Sequence, residues 1–167
     1  MTDEAREHGR TFVEGLKKVT GKAKYILDLE LPGMLVGKFL YSEYPHARIV
    51  RIDTSRAEAM PGVKAVVTHQ DVPGEKIYGY IIKDQPVFAI DEVCYIGDIV
   101  AGVAAVDEDT ADEAIQAIEV EYEPLEGVFD LEAAMAFDSP TARANLESNI
   151  LSHTEVVHGN VKQGFEE

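Results

Sequence analysis

An α+β domain, with helices packed on one face of a mixed sheet, is what this sequence of 167 residues predicts. Three observations carry the prediction. The run 99–106 is unbroken, small and apolar, which suits a central strand buried on both faces. Directly after it, Ala111, Ala114, Ile115 and Ile118 fall at i, i+3, i+4 and i+7, so one helical stripe faces a sheet. The order strand, helix, strand then occurs twice along the chain, which favours an α+β layer over a fully parallel sheet.

Each element has its own signal. Residues 1–17 form a polar leader expected to lie along the surface, and strands are expected from Ala23 onward. A turn at Pro32-Gly33 precedes the apolar run 34–41, which reads as a largely buried strand. Residues 47–53 alternate polar and apolar, as a strand with one wet face does. The helix expected over 54–60 has Asp53 or Thr54 to cap it, a Ser55-x-x-Glu58 pattern, and Pro61-Gly62 to stop it. Residues 63–68 form the next strand. Between 70 and 92, punctuated by Pro73-Gly74 and Pro86, only 77–82 suggests an edge strand or loop segment.

After the central strand, residues 107–110 supply caps for the helix already described. Ile118, Val120 and Tyr122 then alternate with Glu119, Glu121 and Glu123 until Pro124 ends the strand. Asp130 can cap a helix through 131–136, with Leu131, Ala134 and Met135 packing downward. Beyond Ser139-Pro140 the chain is turn-rich, and its last residues look like the beginning of an element.

Composition narrows the partners. Fifteen Lys and Arg against 31 Asp and Glu give a formal charge of −16, which opposes binding to a nucleic-acid backbone or an anionic membrane surface. Cys94 is the only cysteine, so neither an intrachain disulfide nor a multi-cysteine zinc site can form. Residues 1–8 lack the apolar stretch of a signal peptide, no window approaches a membrane span, and a cytoplasmic location is expected.

Several residues imitate chemistry. Gly15-x5-Gly21-Lys22-Ala23 nearly matches a phosphate loop, but is one residue too long and lacks the Ser or Thr hydroxyl. Glu119, Glu121 and Glu123 project from one strand face about 7 Å apart, as a cation site or a solvated face would. His153 and His158 do not form H-E-x-x-H. His46 is expected to be a hydrogen-bonded structural residue, and Cys94, with no basic neighbour in sequence, an inert packed thiol. Ser139 and Ser152 lack a nucleophile elbow. No complete catalytic constellation emerges, and no catalytic, cofactor-binding or metal-ligating residue is assigned to this chain.

One ordered set of motifs remains. Lys18-Val19-Thr20-Gly21-Lys22-Ala23-Lys24-Tyr25 is followed by Pro45-His46-Ala47, Asp53-Thr54 and Pro61-Gly62-Val63. Farther on come Asp91-Glu92-Val93-Cys94-Tyr95-Ile96-Gly97-Asp98 and Val120-Glu121-Tyr122-Glu123-Pro124-Leu125. The set resembles the N-terminal α/β hammerhead domain of the molybdopterin-binding large subunit of the xanthine dehydrogenase/aldehyde oxidase family. The resemblance implies a two-layer fold over 18–137, after the leader 1–17. Residues 138–167 would then lead toward a molybdenum-binding region. It also implies an oxidoreductase acting on heterocycles, aldehydes or aromatic thioesters. Its molybdenum–pterin cofactor and glutamate base would belong to later domains of the same polypeptide, and its iron–sulfur clusters and flavin to partner domains or subunits. This chain alone would not be active. Ser42-Glu43-Tyr44-Pro45-His46-Ala47 and Gly97-Asp98-Ile99-Val100-Ala101 depart from the family strings while keeping strand and turn character. Ser148-Asn149-Ile150-Leu151 with Gly159-Asn160-Val161 looks most like the 4-hydroxybenzoyl-CoA reductase type. The alternative is a free-standing acidic assembly subunit that docks on a separate catalytic chain.

Overall fold

The computed structural model describes residues 14–80, 82–144 and 146–166. Most of the expected leader therefore lies outside the described residues. The chain divides after Met34 into two compact units.

In the first unit, helix α1 (Gly15–Val19) ends in a cap where the Lys22 and Ala23 N–H groups both donate to the Lys17 carbonyl, at 2.8 and 2.9 Å. A 3-10 turn over Ile26–Asp28 follows, with the Tyr25 N–H donating to Asp28 Oδ2 at 2.9 Å. The strands expected from Ala23 do not form there. Side chains such as Asp28 and Thr20 satisfy the local backbone instead, as short polar residues do in turns.

Among its described residues the second unit holds eight strands: β1 (Val36–Tyr41), β2 (Ala47–Asp53), β3 (Val63–Thr68), β4 (Ile77–Tyr78), β5 (Gln85–Pro86), β6 (Glu92–Val93), β7 (Ile99–Ala105) and β8 (Glu119–Pro124). Its helices are α2 (Ser55–Glu58), α3 (Glu108–Ala117), α4 (Leu131–Met135) and α5 (Val161–Glu166). The α+β class is as expected, but the strands divide into three small sheets. Their orders are β1-β7-β3, β6-β2-β8 and β4-β5, and every ladder among the described residues is antiparallel. The reason lies in the two strand–helix–strand units. In β2-α2-β3 and β7-α3-β8, the two strands of each unit lie in different sheets. The helix therefore changes layer rather than bridging parallel neighbours, and each unit pairs with the other at both ends, β2 with β8 and β3 with β7.

Strand β7 owes its central place to small side chains. Ala101, Val103 and Ala105 point into a core shared with Ala57 of α2 and Ala111, Ala114 and Ile118 of α3, while Val100 points into a second cluster with Ala47, Ala89 and Val93. Alanine at so many of these positions lets backbones approach closely, and Leu40, Ile52 and Val120 touch both clusters. Strand β1 is half-buried in alternation rather than largely buried, because only Val36 and Leu40 reach the core while Phe39 and Tyr41 face outward.

Asp107 begins α3 by accepting the Thr110 N–H at 2.8 Å. The Thr110 hydrogen bonds hold its carboxyl below the usual carboxylate range. A depressed carboxylate stabilises the fold above its unfolded range and loses that contribution as pH falls through the folded value. Asp107→Ala should therefore lower the melting midpoint by a few degrees at neutral pH and by progressively less in acid, a comparison that thermal melts across pH would make.

In α4, Asp130 likewise accepts the Ala133 N–H, at 2.7 Å. The expected packing of this helix does not occur: Leu131 is 83% and Met135 71% exposed, because the cap fixes the helix locally and no described element lies beneath it.

Candidate functional site

The chemistry-bearing side chains gather where β2 begins. Pro45 sets the entry to the strand, and His46 is carried inward with its side chain only 10% exposed. Its Nδ1 lies 2.7 Å from the Glu126 carbonyl, which can only accept, so Nδ1 carries a proton. The other ring nitrogen, Nε2, is buried without a hydrogen-bond partner, and the nearest carboxylate oxygen, Glu92 Oε2, stands 3.6 Å away. Glu92 is placed by β6 pairing with the start of β2, and its other oxygen accepts the Ala144 N–H at 2.9 Å. His46 and Glu92 thus connect β2, β6 and two segments that follow β8.

Cys94 lies beside them, its N–H donating to the buried carboxylate of Asp98 at 3.1 Å. Burial pushes its thiol up to about 11; the Arg143 guanidinium opposes the shift, while the carboxylates of Glu92 and Asp98 reinforce it. The cluster has the membership of a nucleophile, a base and an orienting acid, but not their arrangement. Its imidazole points at a carbonyl and a carboxylate, and its thiol is held protonated. At pH 8 a thiol-alkylating reagent should modify Cys94 on the order of tenfold more slowly than an unhindered cysteine. The rate should keep rising toward pH 11; a rate matching free cysteine at pH 8 would show the thiol to be activated instead.

Two cavities flank this hub. One, of about 370 Å³, is lined by Pro45, His46, Cys94, Tyr95 and Phe129 among others. The second, also about 370 Å³, lies between Arg48, Ile77, Pro86, Glu92 and Arg143. The first is lined mainly by apolar side chains, whereas the second also carries the charged side chains of Asp84 and Asp91 beside Arg48, Glu92 and Arg143.

The other sequence candidates are dispersed. The first half of the near phosphate loop is itself helix α1, and two of its N–H groups are committed to the Lys17 carbonyl, so it cannot cradle a phosphate. Two of the three strand glutamates are ion-paired: Arg48 meets Glu123 directly across the β2–β8 ladder, and Arg56 meets Glu119 at 2.6 Å. This is a solvated face. Such exposed pairs contribute little to stability. His153 and His158 are exposed, outside any helix or strand. Among the described residues, no group of three His, Cys, Asp or Glu is placed to hold a metal, and no helix is long and apolar enough to cross a membrane.

Sequence reasoning named Asn149 only within the string 148–151 and gave it no role. Its Oδ1 accepts the Ala142 N–H at 2.7 Å, while its Nδ2 donates to the carbonyls of Ala134 and Pro140 at 3.1 and 2.9 Å. A longer contact runs from Nδ2 to Ser139 Oγ at 3.4 Å, and the three shorter ones end on backbone groups, which residue types alone do not reveal.

Comparison with known proteins gives these features a context. The family described as aldehyde oxidase and xanthine dehydrogenase, a/b hammerhead domain, matches residues 20–126. A probable xanthine dehydrogenase subunit of Bacillus subtilis (strain 168) is 48% identical over 94% of this chain and 21% of its own length. The nicotinate dehydrogenase large molybdopterin subunit of Eubacterium barkeri is 41% identical over 93% of this chain and 36% of its own. In structure, quinoline 2-oxidoreductase from Pseudomonas putida 86 superposes with a TM-score of 0.75 at 37% identity, covering 84% of this chain and 19% of that one. The chain thus spans between about a fifth and about a third of these relatives. An apolar-cored pair of interlocked strand–helix–strand units, matched in sequence and in structure, places this chain in the aldehyde oxidase and xanthine dehydrogenase family as its α/β hammerhead domain.

Proposed function

We propose that this chain serves as the non-catalytic hammerhead part of a molybdenum hydroxylase large subunit, covering one side of the domains that bind the molybdenum–pterin cofactor. The observation that carries the reading is the match of almost the whole chain to only a fifth of a much longer relative. The ion-paired glutamates on a solvated face, the half-buried thiol pushed up to about 11 and the backbone-bound imidazole support it, since none of them is set up to react. In this reading the cofactor supplies the redox chemistry, and iron–sulfur and flavin domains or subunits receive the electrons. The contribution of this chain's residues is shape and rigidity. The complete enzyme acts on a heterocycle, an aldehyde or an aromatic thioester, in the cytoplasm.

The test is metal and pterin analysis of the full-length polypeptide that carries this sequence, beside the 167-residue chain. Molybdenum and pterin at about one per polypeptide in the former, and none in the latter, is the expected result. Stoichiometric molybdenum on the short chain would overturn the assignment of a purely structural role. A short chain that co-purifies with a separately encoded molybdenum protein would make it a docking subunit instead.

A further inference from the structure

The second of the two cavities beside His46 carries charges that the fold leaves unused. His46 at the entry to β2 and Arg48 within it are two residues apart, so they project from one face of the β6-β2-β8 sheet. Glu92 stands opposite Arg48 on the β2–β6 ladder and shares that face. The β4–β5 pair, where Ile77 is opposite Pro86, and the segment at Arg143 and Ala144 complete the walls. The space of about 370 Å³ is in the range that holds small ligands.

The charges of these walls do not cancel among themselves. Arg48 is taken by Glu123. Arg143 acts on Cys94 and Tyr95, both of which line the first cavity. Asp84 is half-buried, and among the described residues neither its carboxylate nor that of Asp91 has a hydrogen-bond or ion-pair partner. Glu92 gives one oxygen to the Ala144 N–H and turns the other toward His46 Nε2. Because Nδ1 holds the proton of the neutral ring, Nε2 is an acceptor as well. Two acceptors therefore face each other at 3.6 Å, with the His46 side chain nine-tenths buried and no donor bound to its Nε2. A buried acceptor without a donor is costly, and a group rich in N–H donors removes the cost.

We propose that this cavity is a binding site for a small organic cation, with a primary ammonium at Asp84, Asp91 and Glu92 and a compact apolar body against Ile77, Pro86, Ile90 and Leu125. The ammonium has three N–H donors and no acceptor, which is what these carboxylates and the Glu92–His46 pair lack. A bare metal ion fits less well. No set of three ligands is placed for it among the described residues, and it would leave the apolar wall unused. The inference does not depend on the large-subunit reading above.

An NMR titration of the 167-residue chain with benzylammonium, benzyl alcohol and benzoate tests the site. Benzylammonium should shift the amides of Ile77, Glu92 and Ala144 and saturate with a Kd on the order of a millimolar, as expected for a small ligand in a partly open cavity. Benzyl alcohol keeps the ring without the charge and should bind about tenfold more weakly. Benzoate should leave those amides in place. Asp84→Asn should weaken benzylammonium about fivefold with the melting midpoint unchanged, since Asp84 makes no bond that holds the fold. Glu92→Gln keeps an acceptor for the Ala144 N–H and should weaken it about tenfold. Equal affinity for the alcohol would overturn the inference by making the cavity merely apolar. Tighter binding of benzoate would overturn it by giving control to Arg48 and Arg143. Shifts spread along the glutamates of β8, or no shifts at all, would leave only attraction by net charge and would overturn it too.

Discussion

Replacing Gly62 by alanine should destabilise the second unit by about 2–4 kcal/mol, while the same change at Gly97 should cost about 1–2 kcal/mol. The two glycines have nearly the same backbone, φ +94° and +95°, so the strain of placing an L-residue there is common to both. Their surroundings differ. A Cβ on Gly97 would meet nothing within 4 Å, whereas one on Gly62 would lie 3.0 Å from Val106 Cγ2 and 3.1 Å from Thr110 Cγ2. Those atoms sit at the end of β7 and in the first turn of α3, and the Val106 N–H donates to the Gly62 carbonyl at 3.0 Å. Both neighbours are β-branched and stiff at χ1, and each must give by a few tenths of an ångström to admit the Cβ. The difference between the two variants therefore isolates the packing contribution. Thermal melts should show Gly62→Ala roughly 8–15 °C below wild type, and Gly97→Ala well above that variant. Equal losses would mean that the turn, and not the contact, sets the requirement.

What was legible in the sequence follows from which interactions are local. Strands 47–53 and 63–68 agree with Ala47–Asp53 and Val63–Thr68, and helix α3 begins at its expected cap, because periodicity and capping are encoded within a few residues. Sheet membership was not legible. A strand–helix–strand pattern looks the same whether its helix bridges parallel neighbours or changes layer, and here it changes layer. Strand β6 escaped notice because two residues carry no period; it exists only where Glu92 and Val93 meet Arg48 and Ala47. Leu131 and Met135 have the right spacing for a buried stripe, but spacing does not supply the surface to be buried against. At the hub, His46 could be singled out as structural, while its partner, the carbonyl of Glu126 80 positions away, could not.

The other large effect is expected at Asn149. Its amide closes the segment 134–149 by acting as a short piece of backbone: one acceptor facing an N–H and one NH₂ facing two carbonyls. The partners fix which atom is oxygen, since a flipped amide would oppose donor to donor and acceptor to acceptor. Asn149→Ala removes three backbone hydrogen bonds and a longer one to Ser139 Oγ, together about 2–3 kcal/mol. Asn149→Asp keeps the acceptor but loses both donations and turns a carboxylate toward two carbonyls, so it should be at least as damaging. The loss should be local. Opening of 134–144 should become on the order of a hundredfold more frequent, read as faster amide exchange and as chymotryptic cleavage after the exposed Phe137, with β7 and α3 little affected. Uniform acceleration across the core would show instead that this segment folds as one with the sheets. Local opening would make Asn149 the clasp of a segment that is otherwise tied to the sheets through the Ala144 N–H and Glu92.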